Sequence, residues 1–117
     1  MDEPWEIVYY KQMSGVKPVR EFIQSLPLNA QAKIARTLDF LATYNIHVRA
    51  PHAKKLQGTP LWELRLLGGD SVRILYVTVL VRSFLLLHGF EKKTNKIPMK
   101  EIRVALARLS DWKKRQY

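Results

Sequence analysis

Alternation of hydrophobic and polar positions marks the middle of the chain as a run of strands. In the segment 61–67, Glu63 and Arg65 fall on one face, while Trp62, Leu64 and Leu66 fall on the other. A Gly-Gly-Asp turn at 68–70 then favours a hairpin. The sequence therefore predicts three consecutive antiparallel strands, a meander. Its strands are 61–67, 71–79 and 83–91, with a short turn near Leu80–Arg82 between the last two.

Helical spacing governs the flanking segments. A short helix is predicted over 17–26, with Pro18 in its first turn and Pro27 ending it. A second helix is predicted over 29–44, where apolar residues recur at spacings of three and four and Asn29 suits the N-cap. With a first strand at 5–10 and a last helix at 98–115, the order is β-α-α-β-β-β-α. One α+β domain over 1–117 is expected, with a two-layer fold in which a helix hairpin packs on a small, mostly antiparallel sheet.

Composition narrows the chemistry. The 117 residues include no cysteine, which excludes disulfides, thiolate metal sites and a cysteine nucleophile. The acidic start and the lack of a long apolar run predict neither a signal peptide nor a transmembrane helix, so a cytoplasmic protein is expected. The three histidines lack compact ligand spacing, and no metal or other cofactor is expected.

Charge is distributed unevenly along the chain. The net charge is +10, yet residues 1–48 carry five basic and five acidic side chains. The whole excess lies in 49–117, with fifteen basic and five acidic residues. Such asymmetry indicates a polyanionic partner, the alternative being a solubilising surface without one.

Two groups of residues are candidates for chemistry. Glu63 and Arg65 share a strand face, and Arg73 follows on the next strand, so a cross-strand cluster is predicted; the alternative is an ordinary salt bridge on a wet sheet. The second group lies where the apolar strand 83–91 runs into a lysine-rich segment. Its alternatives are a hydrogen-bonded core histidine and a solvated loop. Its members are His88, Phe90, Lys92, Lys93 and Lys96, and Lys54 and Lys55 are expected to extend the basic rim.

Metal-independent RNA cleavage needs a set of this kind. The 2′-hydroxyl attacks its own 3′-phosphate while one group accepts its proton and another protonates the leaving oxygen. Cations stabilise the charge of the phosphorane. Arginine offers a fork to phosphate oxygens, lysine a point charge, and an aromatic ring can stack on a splayed base.

The segments 62-WELR-65, 72-VRILYV-77 and 86-LLHGFEKKTNKIPMKEIRVA-105 resemble the phage-derived, HigB-like branch of the RelE/ParE toxin superfamily. The resemblance implies a type II toxin with a cognate antitoxin protein. It also implies a ribosome-dependent mRNA endonuclease that inhibits translation and uses no metal. Contacts to rRNA through the basic C-terminal half are then expected, and contacts to DNA only through the antitoxin complex.

The resemblance also suggests roles for single residues. Arg73 matches a phosphate-stabilising arginine, Arg65 a basic residue on the preceding strand, and Lys92 and Lys93 a basic pair after the third strand of the meander. His88 and Glu63 are the candidates for proton transfer. Related enzymes often use a C-terminal tyrosine or histidine, but Tyr117 lies at the very end of this chain, where fraying is common.

Two other functions stay open. A gyrase inhibitor of the ParE type would leave mRNA intact, although the arginines and lysines named above disfavour it. A non-catalytic RNA- or protein-binding module of the same fold is the other alternative, because no general base is obvious.

Overall fold

A computed structural model describes residues 3–79 and 81–116 of the chain. The described residues form five strands and three helices, with one short 3₁₀ turn at Asn45–His47 after the second helix. In chain order the elements are β1 (Glu6–Tyr9), α1 (Pro18–Gln24), α2 (Leu28–Tyr44), β2 (Ala53–Lys55), β3 (Trp62–Arg65), β4 (Val72–Val79), β5 (Ser83–Glu91) and α3 (Met99–Lys114).

All five strands belong to one sheet of order β1-β5-β4-β3-β2. The predicted meander is confirmed, because β3, β4 and β5 pair antiparallel in sequence. β1 pairs parallel with β5, so the sheet is mixed but mostly antiparallel. The predicted α+β class is therefore confirmed.

Helices cover both faces of the sheet. The α1–α2 hairpin packs on one face, as predicted, over a core that includes Val19, Ile34 and Leu64. Helix α3 packs on the opposite face, where Ala105 and Leu109 contact a second apolar cluster. The two clusters use alternate residues of the same strands, as the period of a strand requires. The face under α3 carries the candidate site.

The strand β2 was not predicted. It has three residues, two of them exposed lysines, and a strand so short has no alternation to detect. Helix α2 also differs, since it begins at Leu28 with Pro27 rather than Asn29 at the N-cap position. The turn predicted near Leu80–Arg82 includes Leu80, which lies outside the described residues.

An irregularity in β5 decides which side chains share a face. Leu75 pairs with His88, but the next residue of β4, Tyr76, pairs with Leu86, so Leu87 is an extra residue in β5. A regular strand would place Leu87 and His88 on opposite faces. The bulge lets Leu87 join the apolar cluster under α3 while His88 also contacts that helix.

Within the two described ranges, no helix is long and apolar enough to cross a membrane.

Candidate functional site

One buried carboxylate gathers three cations at the end of the sheet. Glu63 on β3 is only 2% exposed, and its Oε2 atom lies 2.9 Å from Nε of Arg73, 3.7 Å from Nε of Arg65 and 3.9 Å from Nζ of Lys92. Strand register explains the convergence, because Arg65 and Arg73 are directly opposite each other on β3 and β4. Three cations against one carboxylate leave an excess of two positive charges. We call these four residues the Glu63 cluster.

The two arginines of the cluster are held differently. Arg73 Nη1 also donates to the backbone carbonyls of Asp70, at 2.6 Å, and Val72, at 3.0 Å, so its guanidinium is fixed. Arg65 is about one-third exposed, and its buried Nε finds no hydrogen-bond acceptor among the described residues. The exposed part of the Arg65 side chain is accessible to an added anion. Both arginines line one small pocket beside the turn at 68–70.

A second polar group lies on the same face, between β5 and α3. Nε2 of His88 is 2.8 Å from Oε1 of Glu101, and Nδ1 of His88 is 3.2 Å from Nη1 of Arg108. Arg108 also donates to the carbonyl of Leu87, at 2.9 Å. Since an arginine can only donate, Nδ1 must accept and Nε2 must carry the proton given to Glu101. The contacts therefore select one neutral tautomer of the histidine.

Burial lowers the pKa of His88 below the ordinary value, and the charge of Arg108 adds to that effect. The hydrogen bond and the charge of Glu101 act in the opposite direction. The neutral ring is thus the form that the fold favours near neutral pH.

The His88–Glu101 pair opens onto a pocket of about 490 Å³. Exposed Lys93 and Lys100 stand at its wall, and Phe22 of α1 forms another side. The pocket therefore combines a neutral imidazole, two carboxylates, those of Glu91 and Glu101, and two cations. That combination suits proton exchange beside an anionic substrate.

Phe90 links the two polar groups but lies in the interior. Its ring is 5% exposed and stacks on His88, with 5.5 Å between centroids, and its backbone pairs with Arg73. In this arrangement the ring cannot offer a face to an RNA base, which is the role that the sequence predicted for it.

The remaining predicted lysines occupy different surroundings. Exposed Lys54 pairs with Glu63 in the sheet and so shares its face, whereas neighbouring Lys55 points to the opposite face. Exposed Lys96 lies in the loop before α3, three residues after Lys93. The C-terminal Tyr117 lies outside the described residues. The structure thus brings Glu63, Arg65, Arg73 and Lys92 into one cluster and groups His88 and Phe90 beside it.

Sequence reasoning did not assign Glu101 and Arg108 to the site. Both lie on α3, seven residues apart and therefore on one helical face, with buried Ala105 between them. The signal available in the sequence was a pair of opposite charges on the same helical face as an alanine. That pattern indicates a helix face that could contact the histidine of a neighbouring strand. The sequence does not indicate which face of the sheet α3 covers, and that choice decides whether these two residues meet His88.

No group of three histidine, aspartate or glutamate side chains in the described part of the chain is arranged to hold a metal ion.

Comparison with known families gives one match. The model of the family described as "Phage derived protein Gp49-like (DUF891)" matches residues 21–110, which run from α1 into α3 and include every candidate residue above. No curated protein matches the chain at a significant level.

Proposed function

Because the chain belongs to the phage-derived Gp49-like family, within the RelE/ParE-like superfamily of toxin–antitoxin toxins, we propose that it is a type II toxin that cuts ribosome-bound mRNA without a metal ion. The family implies a cognate antitoxin as partner. The observation that carries the proposal is the pairing of a neutral, oriented histidine with Glu101, next to a cluster with excess positive charge.

Each polar group has a distinct task in this proposal. Glu101 accepts the proton of the 2′-hydroxyl, and His88 orients the carboxylate through its Nε2–H. The 2′-oxygen bonds to phosphorus, the bond from phosphorus to the 5′-oxygen breaks, and the leaving 5′-oxygen takes a proton from solvent. Lys93 and Lys100 bind the RNA backbone at the same pocket. Arg65 and Arg73 receive a phosphate at the pocket beside the turn at 68–70, where the side chain of Arg65 is about one-third exposed.

Matched lysine variants of α3 test the RNA contact. Lys100 stands at the pocket in the first turn of α3, and Lys114 is the last residue of the same helix, about 20 Å away at 1.5 Å per residue. Both are exposed, so Lys100→Ala and Lys114→Ala remove the same charge from the same helix.

We expect Lys100→Ala to weaken binding to single-stranded RNA. The slope of log K against the logarithm of the salt concentration should become shallower by about 0.7. Lys114→Ala should match the wild type. Fluorescence anisotropy over a salt series measures both. Equal losses in the two variants would remove the pocket from the proposal.

One observation favours a non-catalytic alternative. Both nitrogens of His88 are already engaged, and the charge of Glu63 is met within the fold. In a module that only binds RNA or protein, these side chains would have a structural role, and their hydrogen bonds and ion pairs would already be complete. Glu101→Gln separates the two functions, because it should leave RNA binding in place and reduce cutting by about 100-fold or more if Glu101 is the base.

A further inference from the structure

A row of aromatic side chains lies beside the small pocket that Arg65 and Arg73 line. Phe40 and Tyr44 are four residues apart on α2, with 5.1 Å between their ring centroids. His52, just before β2, meets Phe40 edge to face, with 5.4 Å between centroids. We call these three residues the aromatic row. Tyr44, at its outer end, is 54% exposed, so much of its ring is accessible to a ligand.

The row is held against that pocket, which His52 itself lines. The hydroxyl of Thr37 accepts the backbone N–H of Leu67 at 3.0 Å. Lys33 donates to the carbonyl of Gly69, also at 3.0 Å. Both bonds join α2 to the loop between β3 and β4, which forms one side of the pocket. The aromatic row therefore has a fixed position beside the two arginines.

The surroundings of the row are basic. The segment 33–55, which contains all three rings, carries five basic residues and one acidic residue. Arg36 on α2 and Arg49 before β2 are both exposed. The carboxylate of Asp70, at the pocket, lies 3.8 Å from Nζ of Lys33. Exposed aromatic rings among cations are the arrangement by which proteins bind single-stranded nucleic acid.

From this geometry we propose that the aromatic row stacks on a nucleobase of the RNA strand whose phosphate Arg65 and Arg73 receive. That the ligand is RNA rests on the proposed function. Every base has a flat π-face, so the contact adds affinity without reading the sequence. An RNA strand fits this surface better than a protein segment, because it offers a phosphate to the arginines and a base to Tyr44 at once.

The row supplies the stacking surface that Phe90 does not. The sequence predicted this role for Phe90, whose ring is 5% exposed. Phe40 and Tyr44 are distant from the arginines along the chain, and the packing of α2 beside the loop after β3 brings them together. Local sequence patterns do not indicate such a surface, because tertiary contacts form it.

The test measures binding of a 2′-O-methyl RNA of mixed sequence, about eight nucleotides long, which lacks the attacking hydroxyl and is therefore not cut. A second strand has the same sugar–phosphate backbone without bases, so it keeps the charge and loses the stacking partner. Fluorescence anisotropy measures the binding of each strand to the full chain, and NMR follows the ring resonances of Tyr44.

We expect the strand with bases to bind about tenfold more tightly than the strand without them, and to shift the ring resonances of Tyr44 upfield. Tyr44→Leu keeps an apolar contact with Phe40 but removes the π-face. This variant should bind the strand with bases about fivefold to tenfold more weakly and the other strand with less than about a twofold change. Tyr44→Trp should keep the preference for bases.

Leu28→Ala is the matched control for the loss of an exposed apolar side chain. Leu28 is 81% exposed and is the first residue of the same helix, whereas Tyr44 is the last. At 1.5 Å per residue the two positions are about 24 Å apart. Leu28→Ala should therefore leave the binding of both strands unchanged.

Equal binding of the two strands, an equal effect of Tyr44→Leu on both, or unshifted Tyr44 resonances would overturn the inference. So would binding of neither strand, or a loss in Leu28→Ala as large as that in Tyr44→Leu. Intact mRNA on ribosomes would contradict the proposed cutting and leave this inference standing, because the probe strands report binding alone. Persistent cutting by a protein that binds both strands equally would contradict this inference and leave the proposed function standing.

Discussion

At the scale of single residues, Glu63 is the centre of the buried charge cluster. Its carboxylate is buried among three cations, and a buried ion pair is strongly destabilised when one partner is removed. The prediction that Glu63, Arg65 and Arg73 cluster across two strands is confirmed, but the wet sheet face offered as the alternative is wrong. Glu63 is covered, because its strand has a neighbour on each side and its face meets the second apolar cluster.

Replacing Glu63 tests this burial. Glu63→Gln keeps the shape of the side chain and removes the charge, so the three cations lose their counter-ion. We expect the free energy of unfolding to fall by about 3 kcal/mol, measured by urea denaturation. Glu91→Gln, at an exposed position two strands away, should change it by less than about 0.5 kcal/mol. Similar small losses for both variants would show that the cluster is not a buried ion pair.

His88 predicts how stability depends on pH. Its pKa is lowered in the folded protein, chiefly by burial, whereas in the unfolded chain it is about 6.5. Below pH 6.5 the unfolded state therefore binds more protons than the folded state. As the pH is lowered from 6.5, the free energy of unfolding decreases until the pH passes the pKa of the folded state. Above pH 6.5 this contribution is complete.

We expect His88→Gln to flatten the dependence of stability on pH between 7 and 5. Thermal or urea unfolding at several pH values measures it. His47→Gln, at an exposed histidine, is the matched control and should keep the slope of the wild type. A wild-type slope in His88→Gln would contradict the assignment of a neutral buried ring.

At the scale of elements, the helix α1 and the strand β5 meet at a position that only glycine fits. A Cβ atom on Gly89 would lie 2.5 Å from Cδ2 and 2.9 Å from Cε2 of Phe22. Gly89 therefore fixes how closely α1 approaches the sheet, and Phe22 in turn forms a side of the His88 pocket.

Gly89→Ala should lower the free energy of unfolding by about 1–3 kcal/mol, because the ring of Phe22 must move. In a Phe22→Leu background the same change should cost less, and a double-mutant cycle by denaturant unfolding measures the difference. Additive effects would indicate that the ring moves aside freely and that α1 does not depend on this contact.

The elements also show what periodicity can and cannot predict. The meander and the helix hairpin follow from alternation and helical spacing, because each segment is long enough to display its period. The bulge at Leu87 follows from neither, since one extra residue leaves the apolar run 84–87 unchanged in composition. Pairing between His88 and Glu101 depends on this bulge and on the face that α3 covers, so the sequence could name His88 but not its partner. The parallel pairing of β1 with β5 joins distant segments and leaves no local pattern either.

On the scale of the whole molecule, the uneven charge acquires a spatial meaning. Of the basic residues in 49–117, five belong to the candidate site. Arg65 and Arg73 line one of its pockets, Lys93 and Lys100 line the other, and Lys92 lies beside Glu63. The fold thus explains the lysines that follow the apolar strand β5. The C-terminal end of β5 lies at the same end of the sheet as the arginines of β3 and β4.

The central claim is that the chain cuts mRNA on the ribosome, and primer extension on one mRNA tests it most directly. Purified wild type and Glu101→Gln would be added to a translation reaction and to the same mRNA without ribosomes. We predict that the wild type cuts the mRNA in the presence of ribosomes. Without ribosomes the mRNA should stay intact, with or without EDTA. Glu101→Gln should reduce the rate of cutting by about 100-fold or more. Intact mRNA with folded wild-type protein and active ribosomes would contradict the account and leave the binding module as the function of this fold.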